Sequence, residues 1–124
     1  MKQMPLMLIA LIAIACSPCY RKTKITVVSY RIGKMVDHHL DLRRKNYFDY
    51  YQRIVGLTKI EHFKGTYRQQ GDTLYFTFCE NRIPQDLTGK AYIDSAANEI
   101  VMLQKDPIYN QRLTIRKDKR KKHQ

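Results

Sequence analysis

Apolar and polar residues alternate along most of this chain from Lys24 onward, in short stretches separated by turn residues. An alternation with a period of two places successive side chains on opposite faces of a strand. The stretches are rich in Tyr, Phe, Ile, Val and Thr, which favour strands, and turn residues recur about every 8–12 positions. This pattern predicts an all-β fold.

The alternation divides the chain into about six to eight candidate strands. They cover residues 24–32, 35–42, 47–54, 59–68 with a break at Gly65, 73–78, 90–94, 99–104 and 112–116. Short turns between consecutive strands give an antiparallel up-and-down meander. Such a sheet protects its edges by closing into a barrel or by folding into a sandwich.

The third candidate strand has a competing interpretation. A helix over residues 41–55 is the alternative, because no residue before Gly56 breaks it. The bulky neighbours Tyr47-Phe48 and Tyr50-Tyr51 favour a strand, since aromatic residues are enriched in strands. We therefore predict the strand and keep the helix as the alternative.

Two hairpins are the clearest local predictions. The first turns at Gln70-Gly71-Asp72, where glycine supplies the positive φ that a tight turn needs. The second pairs residues 90–94 with residues 99–104 across residues 95–98. A filled interior would be occupied by Leu74, Phe76, Phe78, Ile93, Ile100 and Met102.

The first hairpin also carries a resemblance. The run Lys64-Gly65-Thr66-Tyr67, followed after three residues by Gly71-Asp72-Thr73-Leu74-Tyr75, resembles the G-x-Y…G-D-T-L hairpin of small uncharacterised bacterial lipoproteins with a compact β-domain. The similarity covers residues 35–103 and, together with Cys16, implies a fold and a location. The motif encodes a turn rather than chemistry, so the resemblance implies no activity.

The N-terminus departs from the β pattern. A single Lys2 precedes an unbroken apolar run over residues 5–15, and the small residue Ala15 is followed by Cys16. A basic start, an apolar stretch of about 7–15 residues and a small-residue cleavage site are typical of a secretory signal peptide. We predict a signal helix over residues 1–15 and cleavage before Cys16.

The cleavage site itself indicates lipidation. The sequence Ala13-Ile14-Ala15-Cys16 resembles the lipobox of bacterial lipoproteins, with alanine where Leu or Val is usual at its first position. Cys16 is therefore the predicted lipidation site. The same alanines satisfy the A-x-A rule, so secretion without lipid is one alternative. An uncleaved anchor is another, favoured by the basic residues downstream, although the apolar run is shorter than the roughly 20 residues that span a bilayer.

The rest of the chain is long enough for one small domain. We divide it into an N-terminal tether over residues 16–23, a β-domain over residues 24–116 and a disordered basic tail over residues 117–124. The whole chain has 23 Lys and Arg against 11 Asp and Glu, a net charge of +12. This balance favours anionic lipid head groups or envelope polymers as partners. Nucleic acid is not expected, because an exported protein rarely meets it.

The basic tail is the predicted contact with such partners. A dense run of like charges does not pack, and each cation near an anionic surface adds about 1 kcal/mol to membrane binding. The predicted anionic-surface site consists of Arg116, Lys117, Lys119, Arg120, Lys121 and Lys122. A frayed end that only aids solubility is the alternative.

The three cysteines limit the covalent chemistry. If Cys16 carries lipid, Cys19 and Cys79 remain as an even pair in an oxidising compartment. A bridge between them would close a loop of about 60 residues and contribute roughly 4 kcal/mol on the chain-entropy model. Two unpaired thiols are the alternative, because sequence does not supply the geometry. Cys16-x-x-Cys19 lacks a second ligand pair for zinc.

Other candidate chemistry is sparse. Asp37, His39 and Asp41 alternate on one strand face and could approach a metal, but we adopt the interpretation of an ordinary solvated face. His62 and His123 have no identifiable partners. No serine or cysteine has the surroundings of a nucleophile, and the carboxylates are scattered. We predict that the protein is not an enzyme and uses no metal or cofactor.

Nine tyrosines interleaved with Arg and Lys could form a surface that stacks sugars or bases. Tyr47, Tyr51 and Arg53 would share one such face. Tyrosine also packs well at the edge of a core, and that is the interpretation we adopt.

These observations together predict a lipid-anchored module of the bacterial cell envelope, either periplasmic or surface-facing, with secretion as the alternative location. It would act without catalysis, as a binding or structural module with a basic surface. A lipocalin-like carrier of a small apolar ligand is the alternative, and it would need an open cavity where the module has a filled interior.

Overall fold

Residues 19–33, 35–54 and 59–120 are described by a computed structural model of the protein. Eight strands alternate with short connections in this part of the chain. The strands are β1 (Ile25–Arg31), β2 (Val36–Arg43), β3 (Tyr47–Ile54), β4 (Ile60–Gln70), β5 (Thr73–Phe78), β6 (Leu87–Asp94), β7 (Glu99–Gln104) and β8 (Gln111–Asp118). The predicted signal peptide, Cys16, Lys121, Lys122 and His123 lie outside the described residues.

Each strand pairs antiparallel with the next one along the chain, and β1 also pairs with β8, so the sheet closes into a barrel. The predicted all-β meander is confirmed, with a barrel rather than a sandwich. Both hairpins are confirmed: Gln70 pairs with Thr73 around a turn in which Gly71 has a φ of 61°, and Asp94 pairs with Glu99. β3 coincides with its predicted bounds, so the helix alternative is wrong.

Three strands differ from the prediction by more than one residue at an end. β4 runs through Gly65 without a break. A Cβ at this position would lie 2.0 Å from the backbone oxygen of Thr77, so the glycine permits the close approach of β5 instead of ending β4. β6 begins at Leu87, three residues before the predicted start of this strand at residue 90. β8 extends to Asp118, two residues into the segment predicted to be disordered, because pairing with β1 gives the basic strand end a partner.

The interior is filled by one apolar cluster, in which the Phe48 ring lies 4.8 Å from the Phe76 ring and 5.1 Å from the Phe78 ring, centroid to centroid. Of the predicted interior residues, the buried ones are Leu74, Phe76, Phe78, Ile100 and Met102, and Ile93 is partly buried against them. The alternation seen in the sequence therefore marks the inward face of each strand.

The segment before β1 crosses the outer face of the barrel, and we call residues 19–24 the strap. The structure joins Cys19 to Cys79, which directly follows β5, with the Cα atoms 5.7 Å apart. From there the strap passes over β4 and β3, where the Tyr20 hydroxyl donates a 2.7 Å hydrogen bond to Asp49. A backbone hydrogen bond to the β2–β3 connection fixes its far end. The predicted tether is thus held against the barrel from Cys19 onward.

Candidate functional site

The barrel has two ends that differ in chemistry. One end carries the β2–β3, β4–β5 and β6–β7 connections, together with the start of β1 and the end of β8. We call it the base end. The other end carries the β1–β2, β3–β4, β5–β6 and β7–β8 connections, and we call it the mouth. Because the strands alternate in direction, each surface loop belongs wholly to one end.

The mouth contains a recess of about 450 Å³. Its buried lining consists of Tyr50, Phe63, Pro84 and Leu87. The remaining lining is mainly polar and includes Gln52, Glu61, Arg82, Gln85, Asp86 and Gln104. Recesses of about 300–1,000 Å³ with a few convergent polar groups are typical of small-molecule sites. The mouth is therefore a candidate binding site, and the apolar cluster fills the barrel below it.

A buried histidine supports the side of this recess. The His38 side chain points into the barrel, where its Nδ1 atom shares a hydrogen bond with the Tyr50 hydroxyl. Burial, followed by the positive charge of Arg31, lowers the pKa of His38 to about 4. His38 is thus neutral at neutral pH, and the shared hydrogen bond satisfies both buried groups.

Seven large apolar side chains are exposed in the described part of the chain, and all of them lie at the mouth. They are Ile32, Met35, Ile54, Ile60, Ile83, Ile108 and Tyr109. Ile108 is 78% exposed, Ile32 77% and Met35 74%, so the connections hold these side chains in solvent. We call the seven residues the apolar rim. Single exposed hydrophobics are ordinary, but a group confined to one end of a molecule indicates an interaction surface.

The base end carries cations instead. Those exposed there are Lys22, Lys24, Arg44, Lys45, Lys117, Lys119 and Arg120. We call them the basic cluster. Asp118, at the end of β8, lies 3.2 Å from the Nε atom of Arg120, and Asp72 is exposed in the β4–β5 turn. Cations therefore outnumber carboxylates at this end.

The predicted anionic-surface residues lie only partly within the basic cluster. Arg116 is on the outer face of β8, with its guanidinium 4.7 Å from the Tyr30 ring centroid. Lys117, Lys119 and Arg120 follow it at the base end. The strap and the β2–β3 connection are not among the predicted residues. They join the cluster because β1 pairs with β8 and Arg44 bonds to Lys24, and both contacts link residues far apart in the sequence.

On the outer face, Asp49 joins the strap to three strands. Its carboxylate accepts hydrogen bonds from Tyr20, from His62 at 2.5 Å and from Arg43. Burial opposes ionisation, but the hydrogen bonds from Tyr20, His62 and Arg43 outweigh it and hold the pKa of Asp49 below its usual value. Asp49 is fully buried and stays ionised in a paired network. The prediction that His62 has no partner is therefore wrong, because His62 bonds to Asp49.

Above this network, four rings form a row across β1–β4: Tyr30, His39, Tyr51 and His62. Adjacent centroids are 6.0, 5.7 and 4.5 Å apart. The order follows from the register, because each ring belongs to a residue that is paired directly with the next. The rings lie against one another, and Arg53 of the predicted stacking face bonds to Asp37 at 2.6 Å. The outer face is thus largely occupied by its own contacts.

The predicted metal-binding candidates share this outer face without converging. Asp37 is paired with Arg53, and the Nε2 atom of His39 lies 2.7 Å from Asp41. The hydrogen bond with Asp41 raises the pKa of His39. No three His, Cys, Asp or Glu side chains are grouped to hold a metal ion within residues 19–33, 35–54 and 59–120.

The fold and these surfaces define a small closed antiparallel barrel with an apolar mouth and a basic base end. Comparisons with protein-family models, with curated proteins and with solved structures found no match. The resemblance to small bacterial lipoproteins therefore stays a prediction. In the part of the chain that the structure describes, no helix is sufficiently long and apolar to cross a membrane.

Proposed function

We propose that this protein is an exported lipoprotein of the bacterial cell envelope, anchored through Cys16, that acts as a non-catalytic binding or structural module. The disulfide between Cys19 and Cys79 carries the proposal, because such bonds form and persist in the oxidising compartments outside the cytoplasm. The bonded Cys19 lies three residues after the predicted lipidation site. The residue that indicates export and the residue predicted to carry the anchor therefore lie three positions apart in one segment.

The state of the charged groups supports a role without catalysis. The outward carboxylates of Asp37, Asp41 and Asp49 each hold a basic partner. Both half-exposed histidines, His39 and His62, use the Nε2 atom in such a pair. These groups form structural ion pairs that stabilise the face of the barrel. General acid–base catalysis needs an acid and a base that are positioned to exchange protons with a substrate.

The basic cluster supports the binding role. Its cations come from three separate segments and face solvent together. A surface of this kind attracts anionic lipid head groups or envelope polymers, and the attraction weakens as salt rises. We propose the basic cluster, continued by Lys121 and Lys122, as the surface that binds them.

Intact mass of the purified chain tests the anchor. We expect the loss of residues 1–15, the added mass of acyl chains at Cys16, and two hydrogens fewer for the disulfide. Substituting Cys16→Ser should remove the acyl mass and release the protein into soluble fractions. Continued acyl labelling of the variant would refute the lipoprotein proposal.

Charge reversal tests the basic cluster. Lys22→Glu, Lys24→Glu and Lys45→Glu together should weaken binding to phosphatidylglycerol vesicles and to heparin about 100-fold at low salt, since each cation contributes about 1 kcal/mol. The matched control reverses Lys59, Lys90 and Lys105, which are exposed outside the cluster. Equal weakening by both sets would show that net charge alone drives binding and would refute the local surface.

The recess favours a second candidate function, that of a carrier. Its volume of about 450 Å³ suits a small ligand. Its polar lining suits a ligand with hydrogen-bonding groups better than the small apolar ligand predicted from the sequence. Leu87→Trp would fill the recess from its buried side, so a carrier should lose the ligands that co-purify with the native chain. A native chain that carries none, and binds none from an envelope extract, would refute the carrier.

A further inference from the structure

We infer that the apolar rim is the membrane-facing end of the barrel, covered by the interfacial region of the lipid bilayer. The inference rests on the proposed lipid anchor and states which end that anchor presents to the membrane. Two independent observations carry it: the place where the tether attaches and the distribution of exposed apolar side chains.

The disulfide attaches the tether closer to the mouth than to the base end. Phe78, just before Cys79, pairs with Gly65 of β4, so the bond lies at the level of Lys64. From Lys64, four residue steps along β4 lead to Ile60 at the mouth, roughly 14 Å. Six steps lead to Gln70 at the base end, roughly 20 Å. The tether therefore leaves the barrel on its mouth half.

The tether is also short. Three residue steps separate Cys16 from Cys19, a reach of at most about 11 Å. Without the disulfide the only covalent connection of the anchor to the barrel would be the backbone leading to Ile25, nine steps away and about 32 Å at full extension. The bond thus shortens the tether about threefold. At full extension Cys16 comes within about 3 Å of the level of the mouth but stays about 9 Å short of that of the base end.

The rim has the chemistry that a bilayer interface accepts. Its side chains project from three of the four mouth connections and from the strand ends at Ile54 and Ile60, so they belong to separate segments, and Ile54 and Ile83 also line the recess. A deformable lipid surface can receive such separated aliphatic tips, and Tyr109 suits the head-group level. A rigid protein partner would need a continuous complementary surface.

Charge at the mouth is nearly balanced. Its exposed cations among the described connection and strand-end residues are Arg31, Lys59, Arg82 and Lys105, and the carboxylates there are those of Glu61, Glu80, Asp86 and Asp106. Docking by this end should therefore depend on apolar insertion and respond little to salt. The basic cluster, at the opposite end, would point away from the anchoring bilayer, which favours envelope polymers over lipid head groups among its two proposed partners.

Single-tryptophan variants test the orientation, because the native chain contains no tryptophan. Ile108→Trp places the reporter on the rim, and Ala96→Trp places it in the exposed β6–β7 turn at the base end. Acylated full-length chains are reconstituted in phosphatidylethanolamine–phosphatidylglycerol vesicles with brominated acyl chains. The Ile108→Trp variant should be quenched about twofold or more and its emission should shift to the blue, while the Ala96→Trp variant keeps the emission of a water-exposed indole.

Each other outcome is informative. Quenching of the Ala96→Trp variant alone would reverse the orientation and overturn the inference, as would no quenching of either acylated variant. A blue shift of the Ile108→Trp variant without lipid would assign the rim to a second copy of the chain. If mass analysis finds no acyl group, the proposed anchor fails separately. The same variants mixed as unacylated chains with the vesicles then decide whether the rim inserts by itself.

Discussion

At the base end the connections are two to four residues long, whereas those at the mouth are four to eight residues long. Phe48, near the start of β3 at the base end, packs against Phe76 and Phe78 inside the barrel, and the recess opens at the mouth. Short connections leave few side chains outside the strands, while longer ones can hold Ile83 or Ile108 in solvent. One end of this barrel therefore maintains the fold, and the other is free to carry an interaction surface.

Removing an aromatic ring from the base side should have the largest effect on stability. Phe48 is fully buried between two other rings, so Phe48→Ala should lower the free energy of unfolding by about 3–5 kcal/mol. Ile108→Ala, on the exposed rim, should change it by less than about 0.5 kcal/mol. Urea denaturation measures both. Similar losses for the two variants would contradict the division of roles between the ends.

The disulfide should come next. Replacing Cys19 and Cys79 by serine frees a loop closed over a sequence separation of 60, so we expect a loss near the upper end of about 2–4 kcal/mol. Thermal denaturation in the presence and absence of reductant measures it on the native chain. Reductant should leave the double variant unchanged, and a native chain insensitive to reductant would argue against the bond.

Acid should destabilise the mouth side through His38. Its pKa is about 4 in the folded protein against 6.5 usually, so below pH 6.5 the unfolded chain binds a proton that the folded one refuses. Stability should fall toward pH 4 by up to about 1.4 kcal/mol per pH unit from this group. Arg31, Asp37 and Tyr50 are the groups that face it.

His38→Gln should flatten the pH profile of unfolding in this window. The control is His39→Gln. Because Asp41 raises the pKa of His39, that contribution is complete below the usual pKa and is lost as the pH rises through the raised one. The control should therefore change the profile in the opposite sense. Asp49, whose pKa is lowered, contributes stability that is lost as the pH falls and is common to both variants. Parallel profiles for native and His38→Gln proteins would contradict the assignment.

The smallest effect should come from the chain end. Deleting residues 121–124 removes no residue of β8, so the free energy of unfolding should change by less than about 0.5 kcal/mol. Deleting residues 117–124 also removes the partners of Val27 and Val28 in β1 and should cost more. Calorimetry distinguishes the two truncations, and equal midpoints would place no stabilising weight on the end of β8.

Local features of the fold could be predicted from the sequence. Alternation identified the strands, and Gly71 marked the tight hairpin, because both depend on neighbouring residues. The sequence alone predicts a break at Gly65, because the carbonyl that requires a glycine there belongs to Thr77 on another strand.

The surfaces could not be predicted in the same way. Asp49 bonds to residues 29 and 13 positions away, and these partners meet only through the register and the strap. The rim residues are scattered along the chain from Ile32 to Tyr109 and come to one end only when the strands are arranged in a barrel. They lie at the same end because of the directions in which the strands run, and a short stretch of sequence does not specify those directions.

The pairing of β1 with β8 determines when the barrel can close during folding. Val27 pairs with Asp118, so the last hydrogen-bonded seam of the sheet joins the first strand to the eighth. If the chain is exported as proposed, we expect it to remain an open ribbon until β8 has crossed the membrane. The barrel then closes only on the far side.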